Sequence, residues 1–172
     1  MSEALRAALL EFDGKARSDL SETGLRFKQD PHYFKQLVRL AGDRAAHIDR
    51  GATWLLKDHL DQGGALAPDL VEPLLQQLLT EPSWGAALHI LQSVRHLDLR
   101  RVDEPALFDA MIAYSSHARP FVRAWAVDAM VRMACVFPKH QARVRAAIET
   151  ASRDPAASVR ARARHLLKEF AS

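Results

Sequence analysis

Eight histidines and one cysteine are the side chains of this 172-residue sequence best suited to chemistry. Their spacing assembles neither a metal centre nor an activated nucleophile. His89 and His96 stand seven apart and could share a helical face, and His59 follows Asp58. Catalytic zinc needs two histidines and an acid converging on one point, and structural zinc needs a Cys/His set. Neither pattern occurs, so isolated histidines on polar faces are expected. Cys135 lies in "MACVFP" among apolar neighbours, without a cationic partner in sequence. It reads as a small core filler. There is no Gly-x-Ser-x-Gly elbow and no glycine-rich phosphate loop. The sequence therefore predicts no catalytic residue, no metal and no cofactor.

Charge offers a second kind of chemistry. The net charge is only +3, but it is unevenly spread. Residues 1–116 carry 13 Lys/Arg against 17 Asp/Glu, and residues 117–172 carry 11 against 4. Arg160, Arg164 and Lys168 recur every four residues as one stripe, with Arg143, Arg145 and Arg153 just before them. Such a stripe can meet phosphates or an acidic protein face, or it can simply keep a terminal repeat soluble. Trp54, Trp84 and Trp125 read mainly as filling between helices. Trp84, in "PSWG", stands at a helix start where rings are often exposed.

The elements that carry these residues read as helices throughout. Hydrophobic residues make up 48% of the chain and charged residues 26%, which is a globular balance. Alanine and leucine dominate, and β-branched residues are sparse, which favours helix. Prolines and glycines lie at the edges of apolar-periodic stretches. "DPHYFKQLVRLAGD" predicts a helix capped by Asp30, with Pro31 first and Gly42 as its stop. The next stretch stops at Gly63 and Gly64, and Pro82 opens the stretch that carries Trp84. The first 29 residues add one or two helices, with Ser2 as an N-cap and leucines at 5, 9 and 10. No segment alternates long enough for a strand. The opening "MSEALRAALLEFDGK" has an acidic residue at position 3 and no cleavage pattern. No apolar run reaches the roughly 18–20 residues that cross a bilayer. A soluble, cytoplasmic setting with no membrane partner is expected.

An internal repeat organises the helices. "ARPFVRAWAVDAMVRMA" at 118–134 returns 37 residues later as "DPAASVRARARHLLKEF", matching Val122-Arg123 with Val159-Arg160, Ala126 with Ala163, Met130 with Leu167 and Met133 with Phe170. Ala52, Ala87, Ala126 and Ala163 align at spacings of 35, 39 and 37. Four residues after each comes Leu56, Leu91, Met130 or Leu167; four before come Ile48, Ser83, Val122 and Val159. Positions i, i+4 and i+8 share a helix face, and a small residue in the middle lets two helix axes approach. A single helix pair cannot cover that face, so the pairs are expected to stack. This predicts one domain over 1–172: an extension at 1–29, then helix pairs at 30–62, 66–98, 102–136 and 138–171.

The phrase "DPAASVRARARHLL" resembles the HEAT-repeat family over about residues 31–170. The resemblance implies an all-α, right-handed α-α superhelix whose second helices line a concave face. It also implies that the arginine of each Val-Arg pair ties neighbouring repeats through carboxylates. Only Arg123 and Arg160 match that arginine, with Asp49 and Trp84 at the equivalent places in the first two pairs. "LLQQLLTEPSWGAALHIL" followed by "RPFVRAWAVDAM" is also similar to the helical-repeat alkylpurine DNA glycosylases. Trp84 and Arg123 match residues those enzymes place at a damaged nucleotide. Leu88 stands where their catalytic aspartate would be, and His165 where a further tryptophan would be. A leucine cannot stabilise a positive sugar.

The expected function is therefore non-catalytic: a binding or scaffold protein whose concave helical groove holds a protein partner. The alternative is a DNA-binding module related to those glycosylases but lacking the acid, with Trp84, Arg123, Arg160, Arg164 and Lys168 as contacts.

Overall fold

The computed structural model describes residues 2–13 and 17–170, apart from the side chains of Ser2, Arg17 and Phe170. The cap expected of Ser2 and the match of Phe170 to Met133 lie outside the described residues. Every regular element among the described residues is helical, so the fold is all-α. The chain divides into two compact units, Met1–Asp98 and Leu99–Ser172.

The first unit contains α1 (Ser2–Leu10), α2 (Arg17–Phe27), α3 (Tyr33–Leu40), α4 (Ile48–Asp61), α5 (Pro68–Gln76) and α6 (Trp84–Ser93). α3 packs on α4 and on α5, and α4 packs on α6. Second helix thus lies on second helix, through buried Ala52 and Ala87. α1 and α2 close over α4, burying Leu5, Leu9, Phe12 and Leu20. Gly51 permits this approach, because a Cβ there would come within 3.0 Å of Leu9 Cδ2 and 3.2 Å of Leu20 Cδ2. Each such leucine contributes on the order of 1.5–3 kcal/mol by leaving water. Gly63, at φ +85°, turns the chain sharply after α4, a conformation open to glycine without steric cost.

α3 begins later than its sequence suggests. Pro31 lies in a turn, and the helix starts at Tyr33. Asp30 Oδ1 instead accepts the His32 N–H at 2.8 Å, and Oδ2 accepts from Gln36 Nε2 at 2.9 Å. The carboxylate organises an Asx-type turn rather than the helix cap.

The second unit contains α7 (Glu104–Tyr114), α8 (Pro120–Val136), α9 (Gln141–Ser152) and α10 (Ala157–Phe170). α7 packs on α8, α9 on α10, and both α9 and α10 on α8. Val122, Ala126 and Met130 are buried in α8, and Val159 and Ala163 in α10. At the start of α7, buried Glu104 accepts from Lys139 Nζ at 2.6 Å and pairs with buried His140. His140 also stacks on Phe108, ring centroids 3.7 Å apart. Burial pushes the Glu104 carboxyl up, but the hydrogen bonds from Lys139 and His140 outweigh it and hold the carboxyl below its usual range.

Two residues depart from the repeat. Leu167, the counterpart of buried Met130, is 49% exposed, and Leu166 takes the buried place. The inward face of α10 runs Val159–Ala163–Leu166, closing on an i+3 rather than an i+4 step. Cys135 is exposed rather than in the core. Its apolar neighbours in sequence point around α8, where Met133 and Ala134 are inward and Cys135 is not.

Candidate binding face

The repeat places polar ties at fixed points. Asp43 and Asp154 each stand nine residues before the repeat alanine, Ala52 or Ala163. Each folds back on the N–H two residues on: Ala45 at 2.9 Å and Ala156 at 2.8 Å. Each also meets an arginine from another element. Arg6 Nε of α1 reaches Asp43 at 2.7 Å, and Arg123 of α8 grips Asp154 with Nε and Nη2, both at 2.8 Å. A bidentate pair of this kind is strong and directional. The hydrogen bond from Arg123 leads in holding the Asp154 carboxyl below its ordinary range, and the bond to Asp154 raises the guanidinium of Arg123. Arg6 lowers Asp43 in the same way.

Of the residues predicted to contact a ligand, Arg123 is thus committed inside the second unit. Its Nη1 also donates to the carbonyls of His117 and Ala118, at 2.9 and 3.1 Å. Trp84 lies in the first unit at the start of α6, 39% exposed, with the Arg50 guanidinium 5.3 Å from its ring centroid. Arg160 Nη1 donates to the carbonyls of Asp154 and Pro155 at 2.7 Å each. Arg164 and Lys168 are exposed on the same face of α10. Residues 37 earlier on α8, Val127 and Val131, are buried. Val127 and Met130 border Ala151 and Val159 of the following pair. The basic stripe therefore occupies the face that α8 turns toward the next pair.

A hollow of this unit lies away from that face. It measures about 480 Å³ and lies between α8 and α10, and its lining includes buried Ala124 and exposed Ala161. α8 also contributes Phe121 and Trp125 to the lining, and α10 contributes Ser158, Arg162 and His165. Phe121 is 61% exposed. The Arg162 guanidinium lies 3.9 Å from the Trp125 ring centroid, a cation–π contact. Beneath them Asp128 is buried between two guanidiniums, 3.4 Å from Arg162 Nη1 and 3.7 Å from Arg132 Nε. Arg132 also pairs with Glu169, which lies 2.9 Å from His165 Nε2. The cations of the hollow are thus balanced by Asp128 and Glu169. What it presents outward is aromatic surface and a histidine.

Sequence reasoning passed over Phe121, the Trp125–Arg162 stack and the Glu104–His140 pair. A signal for the stack was present, since Trp125 and Arg162 are 37 residues apart. Equal register on stacked second helices makes such a contact possible. Among the described residues no group of three or more His, Cys, Asp or Glu could hold a metal ion, and no helix is long and apolar enough to cross a membrane. No family model matches this chain, and no curated protein or solved structure matches it significantly.

Proposed function

We propose that this is a HEAT-like helical-repeat protein that binds without catalysis, holding a protein segment against its second helices. The observation that carries this reading is the α8–α10 hollow, lined by exposed Phe121, the Arg162-covered Trp125 and two alanines, Ala124 and Ala161. Small lining residues admit a backbone or a helix ridge, and aromatic side chains supply apolar contact at little entropic cost. Arg162 is already matched by Asp128, so the hollow suits an apolar protein side chain better than a phosphate. The DNA-binding reading rests on the α10 stripe of Arg160, Arg164 and Lys168, because Arg123 is committed to Asp154.

The test is a panel of immobilised peptides probed with the intact chain. Peptides retained by the native protein should be lost with Phe121→Ser and with Ala161→Arg, which puts a long side chain into the hollow's lining. If no peptide is retained while labelled duplex DNA binds with a steep salt dependence, the protein reading fails and the DNA reading replaces it.

A further inference from the structure

We propose that the outer face of α10 carries a second binding site, a carboxylate receptor centred on Arg160. It takes an acidic polypeptide segment that opens a helix on an aspartate.

Arg123 is the precedent within the same unit. Its Nη1 is clamped by the carbonyls of His117 and Ala118, and that clamp aims Nε and Nη2 at the Asp154 carboxylate. Arg160 repeats the clamp 37 residues on, donating from Nη1 to the carbonyls of Asp154 and Pro155, the counterparts of His117 and Ala118. A guanidinium held by one edge has its other edge preset, so little side-chain freedom is left to lose on binding. Among the described residues no carboxylate pairs with that other edge of Arg160. The nearest influence is on Asp154, whose carboxyl Arg160 helps to lower but which Arg123 already holds.

The surrounding face defines the occupant. Leu167 is exposed where its counterpart Met130 is buried. Arg164 and Lys168 replace buried Val127 and Val131. The face thus keeps the fork and an apolar knob, but exchanges two aliphatic contacts for two cations. A covering segment must bring one carboxylate to Arg160, an apolar side chain to Leu167 and negative charge to Arg164 and Lys168. A helix that begins on aspartate, with glutamate in its first turn, has that chemistry. At this register the chain's own aspartates, Asp43 and Asp154, are already held by Arg6 and Arg123, so the segment comes from outside residues 1–172.

The test titrates the intact, nitrogen-15-labelled chain with a synthetic helix-forming peptide. The peptide opens on Asp-Pro-Ala, with glutamate in the first turn and leucine one turn further. The Arg160 Nε–H resonance should shift, and replacing the peptide aspartate by asparagine should weaken binding about tenfold. Arg160→Gln should weaken it similarly. That variant also releases two carbonyls, so the asparagine peptide against the native protein separates lost binding from lost folding. Phe121→Ser should leave binding unchanged, which keeps this site distinct from the α8–α10 hollow. An Arg160 resonance that does not move, or equal binding of the two peptides, overturns the proposal. So does duplex DNA that displaces the peptide at equal or lower concentration, which would give the face to phosphates.

Discussion

The first unit ties its stacked pairs with a buried carboxylate, whereas the second ties its own with a guanidinium at the same place in the repeat. Asp49 and Arg123 each stand three residues before the repeat alanine. Asp49 is buried and accepts the Ser83 N–H at 2.9 Å, at the start of α6, with Arg44 Nη1 3.4 Å away. Arg123 instead reaches forward to Asp154 before α10. The reason lies at the receiving position. Where the second unit has Asp154, the first has buried Leu78. An arginine at position 49 would find no carboxylate there. An aspartate can use the unpaired N–H groups at the start of α6, which every helix N-terminus offers. Register determines where a tie must be made, and the neighbouring side chain determines its sign.

The harshest way to break this comparison is to reverse one tie. Asp49→Arg should destabilise the first unit by more than about 3 kcal/mol, because it buries an unmatched charge and strips the Ser83 N–H of its acceptor. Urea unfolding, with amide exchange resolved by unit, reads the loss. Adding Leu78→Asp should recover a substantial part of it, by rebuilding the second unit's tie in the first. No recovery would mean that the two joints are not equivalent. Asp154→Ala comes next, at about 2 kcal/mol, since the mostly buried Arg123 fork loses its partner. Its effect should be confined to amides of α8, α9 and α10.

Acid sharpens the same contrast. The Asp154 and Asp43 carboxyls are both lowered from 3.8 in the folded chain. A carboxyl lowered by folding contributes stability that is fully present above its unfolded value and lost as pH falls through its folded value. Stability should therefore show no dependence on these two groups above about pH 5 and a decline below about pH 4. Asp154→Ala should flatten that decline in the second unit only. Thermal melts from pH 6 down to 2.5 measure it. The smallest effect is expected of Arg6→Gln. The Arg6–Asp43 pair is only part-buried, so α1 amides should exchange faster while the global midpoint moves little. A large drop in that midpoint would show that α1 and α2 depend on this tie rather than on Leu5, Leu9 and Leu20.

The repeat alanines were legible because helix periodicity alone places them. Ala52, Ala87, Ala126 and Ala163 recur with larger residues one turn away, and all four are buried. Leu167 was misread because Leu166 and Leu167 are both one turn beyond Ala163. Only the packing of α10 on α8 and α9 chooses between an i+3 and an i+4 step. Cys135 has apolar neighbours in sequence, but successive residues of a helix point in different directions, and it faces outward. The basic stripe was visible, but its meaning was not. Arg160 differs from Arg164 through the carbonyls that clamp it, and those belong to backbone geometry.

By itself the amino-acid sequence determined that this chain is helical, where most helices begin and end, and which small residues let them pack. Those properties depend on interactions within one or two turns. The tertiary structure alone decided which polar groups are consumed and which remain open. Arg123 was closed by Asp154, Asp43 by Arg6 and Arg162 by Asp128, while Phe121 stayed exposed and Arg160 met no carboxylate partner among the described residues. Whether a side chain is available depends on what another element lays against it, and periodicity along one helix carries no record of that.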